Sequence, residues 1–316
     1  MAPPFRAHAA WPAHLLGEVW ADVTESQVRA VVAEVSRVSS LSPRFTEEVA
    51  LPLAGWLALR ARSGQLAAAF SGPPGSGKST LARVERLLLE RLFGLSVAGF
   101  SLDDVYLTKA ERSELARDVH PLFMTRGVPG THDLGLANRL LDDLLRTSSE
   151  HPVWVPKFDK LADDRAPRDQ WQRIAARVDV VLLDGWFWGA GPGDEASLGA
   201  PINAREARED PDGRWRRRVR AELAGPYQSL FARADVHVQM TAPSWQTTVA
   251  WRLHQQLELL GNAGPASEEL STRNAEFLAL FQRVVGLPPA REPDLILGLD
   301  EHHELGQLNG ARFRSA

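Results

Sequence analysis

The chain has 316 residues, 44% hydrophobic and 24% charged, enough to bury a sizeable core as one large α/β domain or as a domain with an appendage. Its formal charge of -4 excludes a general affinity for nucleic acid or an anionic membrane surface. Zero cysteines exclude disulfides, thiolate metal sites and a cysteine nucleophile, which suits a reducing, cytoplasmic compartment. The first twenty residues carry His8, Trp11, His14 and Glu18, not the basic start and clean apolar stretch of a signal peptide. No apolar run approaches the length of about 18 residues needed to cross a bilayer. The expectation is a soluble cytoplasmic protein with no membrane and no nucleic-acid partner; nothing in the pattern speaks to oligomeric state.

In chain order, Thr24 with Gln27 three residues on predicts a capping-box helix start, followed by Val28, Val31, Val32 and Val35 at helical spacing. A second helix is predicted from Pro43 to about Arg62. Residues 1–64 thus read as a helical extension packed on a main domain of residues 65–300, with residues 301–316 as a tail. From Leu66 the pattern changes to short apolar runs separated by helical stretches. The runs are LAAAF (66–70), VAGFSL (97–102), PVWVP (152–156), VDVVLLDG (178–185), VHVQM (236–240) and DLILGL (294–299). Near-continuous apolar runs of this kind are what strands buried on both faces of a parallel sheet look like, so the fold class is α/β, doubly wound, with helices on both faces.

The first run feeds FSGPPGSGKST (70–80). Here Gly72-x-x-x-x-Gly77-Lys78-Ser79 fits the phosphate-loop pattern in full, with a strand before it and a helix over 78–93 after it. Glycine is needed because backbone N–H groups must turn inward around a polyphosphate, and side chains would block the turn and the approach. Gly72, Pro73, Pro74, Gly75, Ser76, Gly77, Lys78, Ser79 and Thr80 are the expected nucleotide contacts, and ATP the expected cofactor. No Asn-Lys pair exists to read guanine, and no Leu-Ser-Gly-Gly-Gln stretch marks a transport ATPase. Signalling and transport readings therefore lose ground.

The second run ends in FSLDDVYLT (100–108), which places Asp103 and Asp104 at the C-terminal edge of the sheet, where ligands of open α/β sheets bind. A carboxylate there can take the proton of an acceptor hydroxyl, a role worth about 10²–10⁴ in rate. Capping of the next helix is the competing use, with Thr108 and Glu111 as a rival capping box. Asp184, closing the run 178–185, is the expected partner of Ser79 in holding Mg²⁺. Trp186 and Trp188 read as packing residues. Arg126, His132, Lys157 and Arg165 follow in two short blocks and suggest an anionic acceptor, since an arginine fork grips a carboxylate with two charge-assisted bonds. Surface pairing with Asp133, Asp159, Asp163 or Asp164 is the alternative for each.

Three features weigh less. RWRRRVR (214–220) reads as a solvated helix face with Asp210–Arg214 and Asp212–Arg216 ion pairs, ahead of a lid or a polyanion site. GNAGPASEE (261–269) reads either as the mobile part of a lid or as an ordinary surface loop. His302 and His303 read as exposed.

Taken together, GPPGSGKST, SLDDVYLT, RGVPGTHDL (126–134), VPKFDKLADDR (155–165), LLDGW (182–186) and APSWQTTVAWRLHQQ (242–256) resemble the D-glycerate 3-kinase family, from Leu66 to about Asp300. That family sits among phosphate-loop kinases that include uridine kinase, pantothenate kinase and phosphoribulokinase. The resemblance implies transfer of a phosphoryl group from ATP to D-glycerate, giving 3-phosphoglycerate. It implies Lys78 and Asp103 as catalytic, Arg165 near substrate or phosphate, and Arg252 as a lid arginine closing over the transferring group. Val105 stands where relatives usually carry Phe, and Asp184 where many carry Glu. The alternatives are a same-fold kinase acting on a nucleoside, pantothenate or a sugar phosphate, and a regulatory or assembly ATPase.

Overall fold

A computed structural model describes residues 3–261 and 266–310. The N-terminal helix α1 (Glu25–Val38) starts on the predicted capping box, with Gln27 N–H reaching Thr24 and the Gln27 side chain returning to the Thr24 N–H. Further on, α2 (Pro43–Phe45) runs through a π-helical turn (Thr46–Ala50) into α3 (Leu51–Ala61). Pro52 has no N–H to offer the carbonyl four residues back. The freed Glu48 carbonyl accepts instead from Trp11 Nε1 at 2.9 Å and from His8 N–H at 3.3 Å, which docks the N-terminal segment on this helix.

The main sheet has six strands in the order β10-β9-β8-β1-β7-β2. They are β1 (Leu66–Ser71), β2 (Val97–Ser101), β7 (Val180–Gly185), β8 (Val236–Thr241), β9 (Leu295–Leu299) and β10 (Leu305–Asn309). The pairs β1–β7, β1–β8, β2–β7 and β8–β9 are parallel, and only the edge strand β10 runs antiparallel. Five of the six apolar runs fall on this sheet. The sixth, 152–156, does not: β3 (Val153–Val155) pairs antiparallel with β6 (Gln172–Ile174), beside a second small pair, β4 (Phe158–Asp159) with β5 (Asp164–Arg165). Its alternating burial, with Trp154 exposed between two buried valines, is the signature of a half-covered hairpin rather than a central strand.

Helices cover both faces. Side chains alternate across β1, so Leu66, Ala68 and Phe70 join one core while Ala67 and Ala69 join the other. The first core is completed by α1, α3 and α4 (Lys78–Phe93), the helix that follows the glycine loop. The second is completed by α6 (Leu134–Leu144), α8 (Arg214–Ala224) and α9 (Pro226–Phe231), with Trp186, Phe187 and Trp188. The remaining helices are α5 (Lys109–Asp118), α7 (Ala204–Glu209), α10 (Trp245–Leu259), α11 (Glu268–Ala279) and α12 (Gln282–Val285). No helix among the described residues is long and apolar enough to cross a membrane.

The arginine-rich run corrects the sequence reading. Helix α8 starts only at Arg214, so Asp210 and Asp212 lie outside it and cannot form pairs one turn apart along it. Asp210 is buried and caps α8, accepting from the N–H groups of Trp215 and Arg216, and it pairs with the buried Arg216 guanidinium at 3.0 Å. Arg214, Arg217 and Arg218 remain on the solvated side.

Candidate active site

The glycine loop leaves β1 at Ser71 and enters α4 at Lys78. Gly75 (φ +82°) and Gly77 (φ +85°) hold left-handed backbone that other residues rarely adopt, and this turns the chain over the first turn of α4. That first turn has N–H groups with no intrahelical partner, and the helix dipole adds partial positive charge, so the loop is a ready polyphosphate cradle.

Facing it is the end of β2. Ser101 caps a short 3₁₀ turn (Leu102–Val105), and Asp104 returns the favour by accepting the Ser101 N–H at 3.1 Å. Asp104 therefore serves the local turn, while the next helix, α5, is capped by Thr108 and Glu111. Its neighbour Asp103 accepts from the Tyr106 hydroxyl at 2.6 Å on one oxygen and from Lys160 Nζ at 2.7 Å on the other. Burial alone would raise the Asp103 pKa, but the Lys160 ammonium and the Tyr106 hydroxyl outweigh it and bring the carboxyl to about 2. Asp104 goes the other way: burial, with Asp184 and Asp103 close by, pushes it up to about 6. Asp184, at the end of β7, accepts from Ser79 Oγ at 3.1 Å and Ser101 Oγ at 2.9 Å. Burial raises the Asp184 pKa and lowers that of Lys78, each resisted by the charge of the other.

Gly75, Lys78, Ser79, Asp103, Lys160 and Arg252 open onto one cavity of about 200 Å³. A larger one, about 570 Å³, is lined in part by Trp186 and touches the loop only at Gly72 and Pro73; neither Lys78, Asp103 nor Arg252 reaches it.

The expected cations divide. Arg252, on α10, lines the cleft with Nη1 buried and unpartnered among the described residues. Arg126 also lines it, paired with Asp163 and with its guanidinium carbon 5.4 Å from the Phe158 ring centroid. Asp163 further pairs with the buried Arg112 at 3.1 Å, and this anchors the β4–β5 hairpin that carries Lys160. Arg165 lies behind the cleft, donating to the Tyr106 carbonyl at 2.8 Å and reaching Asp133 at 3.4 Å. His132 is 5% exposed and packed between Tyr106, Phe187 and Tyr227, its Nδ1 2.6 Å from the Tyr227 hydroxyl. Burial drops its pKa to about 3, so it is a neutral core ring. Lys157 is exposed and absent from the cleft wall. Arg165, His132 and Lys157, expected as substrate contacts, do not line this cavity.

Two side chains that hydrogen-bond Asp103, Lys160 and Tyr106, went unread in the sequence. Lys160 lies in the same VPKFDK block as Lys157, and strand alternation with a tight turn decides which lysine faces Asp103. Tyr106 follows Asp103 by three residues, the spacing of one 3₁₀ turn, which brings the two together. Trp186 Nε1 donates to the Gly127 carbonyl at 3.0 Å and Trp188 is 2% exposed, in line with packing roles. Of the stretch 261–269, residues 262–265 lie outside the described residues.

A parallel sheet ordered around β1, a glycine loop into α4, and acidic residues at the ends of β2 and β7 define the phosphate-loop kinase class. Among solved structures, D-glycerate 3-kinase from Cryptococcus neoformans superposes with a TM-score of 0.66, covering 83% of this chain and 98% of that one at 23% identity. The structure titled YGR205w protein gives 0.62 at 24% identity, over 83% and 98% of the two chains. No protein-family model matches. By sequence, the Schizosaccharomyces pombe protein described as uncharacterized kinase mug58 is 36% identical over 213 residues, 64% of this chain and 74% of that one. The Saccharomyces cerevisiae protein named Probable ATP-dependent kinase TDA10 is 32% identical over 210 residues, 62% of this chain and 68% of that one. The chain belongs to the kinase family that these two fungal proteins represent.

Proposed function

We propose that the protein transfers the γ-phosphoryl group of ATP to a hydroxyl of a small anionic hydroxy acid, D-glycerate, giving 3-phosphoglycerate. The observation that carries this reading is that the glycine loop and Asp103 open onto one cavity whose remaining polar lining includes the cations Lys160, Arg126 and Arg252. The motif resemblance and the fold shared with D-glycerate 3-kinase point the same way.

Loop N–H groups and Lys78 hold the β- and γ-phosphates. The hydroxyl of Ser79 and the carboxylate of Asp184 meet at 3.1 Å, an all-oxygen donor pair suited to Mg²⁺ with phosphate and water completing its shell. That ion would neutralise charge on the phosphates. Each Asp103 oxygen keeps a lone pair beside its present donor, so the acceptor hydroxyl can donate to Asp103 while Lys160, 60% exposed, reaches the acceptor carboxylate. The hydroxyl oxygen then forms its bond to Pγ as the bond from Pγ to the bridging oxygen breaks, ADP leaves, and the hydroxyl proton passes to Asp103. Because such transition states are loose, the proton leaves late, and a carboxylate of low pKa serves by orienting the hydroxyl. Arg252 faces the charge that spreads over the transferred group.

The test is ADP release measured with D-glycerate, nucleosides and pantothenate in parallel. Stimulation by D-glycerate, lost by about 10²–10⁴ in Asp103→Asn while ATP still binds, is the expected result. Stimulation by another acceptor alone overturns the substrate, and indifference to every acceptor overturns the kinase reading.

A further inference from the structure

The turn between β9 and β10 reaches the glycine loop. Asp300 organises it: its Oδ1 accepts from the N–H groups of His302 at 2.8 Å and Glu304 at 2.9 Å, and its own N–H donates to the Glu304 carbonyl at 2.9 Å. Within this turn His303 takes left-handed backbone at φ +64°, which throws its side chain away from its neighbour's direction. His302 is exposed as expected, whereas His303 is half-buried, a correction to the reading of both as surface residues. The His303 ring stacks on Trp251 of α10 with centroids 4.1 Å apart and planes at 25°. Trp251 is held in turn, its Nε1 donating to the Glu301 carbonyl at 2.9 Å.

From that stack His303 Nε2 stands 2.8 Å from the Gly75 carbonyl oxygen. A carbonyl only accepts, so Nε2 carries the proton in this contact. The Gly75–Ser76 peptide is trans, as are all the described peptides, so its C=O and N–H point to opposite sides. The C=O is held by His303, and the Ser76 N–H donates to the Pro73 carbonyl at 3.1 Å. This peptide plane is tied at both ends. Gly75 also rests on α10: a Cβ there would stand 2.8 Å from Trp251 Cβ and 2.9 Å from Arg252 N. One contact therefore joins the apex of the loop, the residue preceding Arg252, and the edge hairpin.

We propose that His303 is a positioning residue for the nucleotide site, fixing the Gly75–Ser76 peptide so that the neighbouring loop N–H groups are set for a polyphosphate before it arrives. Such preorganisation shows as affinity, because less ordering is left for binding to accomplish. The inference rests on the loop binding a triphosphate and is independent of the acceptor.

His303→Phe keeps a ring for the stack and loses the donor; His303→Gln returns a donor of comparable reach. Displacement of a fluorescent ATP analogue by ATP, the KM of each substrate and the thermal midpoint are measured for both. Loss of one neutral hydrogen bond is expected to weaken ATP about five- to tenfold in His303→Phe, with acceptor KM and midpoint close to wild type. His303→Gln is expected to recover most of the difference. ATP affinity unchanged in His303→Phe overturns the proposal, as does a parallel loss in both variants accompanied by a lowered midpoint and raised KM for both substrates, which is the mark of a merely structural residue. A wild-type chain that fails to bind ATP at all removes the nucleotide reading itself and this proposal with it.

Discussion

Lys160 Nζ sits 2.7 Å from Asp103 Oδ2, an ion pair formed between a lysine on a hairpin tip and a carboxylate at the end of the second strand of the main sheet. The pair keeps Asp103 ionised far below neutral pH, with its carboxyl at about 2 against an ordinary 3.8. Removing the ammonium removes the main influence opposing burial, so the Asp103 pKa must rise. Lys160→Met is expected to bring an acid limb into the pH profile of kcat/KM for the acceptor between pH 4 and 7, where the wild type has none from this group. Acceptor KM should rise about tenfold, the loss of one charge-assisted contact of about 1.4 kcal/mol. An unchanged profile would detach Lys160 from Asp103 in the working enzyme.

Asp104 makes an opposite prediction from the adjacent position. Its folded pKa of about 6 lies above the ordinary 3.8, so between those values the native state binds the proton that the unfolded chain releases. Stability from this group is therefore full below about pH 4 and is lost as pH rises through 6. Asp104→Asn keeps an oxygen for the Ser101 N–H and cannot ionise. Thermal melts should show the variant gaining on the wild type between pH 4 and 6 and holding a constant advantage above.

Ser79 and Asp184 are the oxygen pair proposed above to hold Mg²⁺. Ser79→Ala and Asp184→Asn should each raise the Mg²⁺ concentration for half-maximal activity by about 10–100-fold. Binding of metal-free ATP, followed by displacement of a fluorescent analogue, should fall in neither variant. Equal loss of metal-free binding would mean that the two residues shape the loop instead.

Glu85 lies on the buried side of α4, 0% exposed, and neither carboxylate oxygen has a partner among the described residues. Burial raises its pKa well above 4.5, so it is neutral where the unfolded chain is charged. Glu85→Met, of similar length and without polar atoms, should stabilise the fold by about 1–3 kcal/mol at pH 7. The gain should shrink towards pH 4, where the acid is neutral in both states, and urea titrations at the two pH values measure it.

The parallel strands were legible because burial on both faces leaves them mostly apolar, as in VVLL (180–183). The phosphate loop was legible because its geometry admits few residues beside glycine at positions 75 and 77. What was misread had weaker local marks. The run at 152–156 is apolar enough to imitate a central strand, and only its exposed Trp154 marks it as a hairpin arm. The edge strand β10 buries little beyond Leu308, so its sequence looks like a polar tail. Among the cations, the two blocks contained Arg126, which lines the cleft, but Lys160 rather than Lys157 meets Asp103, while Arg165 braces the backbone of Tyr106. Which side of a short hairpin faces a cleft is decided by tertiary contacts, here the grip of Arg112 and Arg126 on Asp163.

Helices α1 and α3 share one continuous apolar interior with β1, β8, β9 and α4. The stretch before the glycine loop thus packs against the loop's own strand and helix. Trimming the protein back to its recognisable kinase motifs would take α1 and α3 out of this shared interior and turn apolar surface of β1 and α4 towards water.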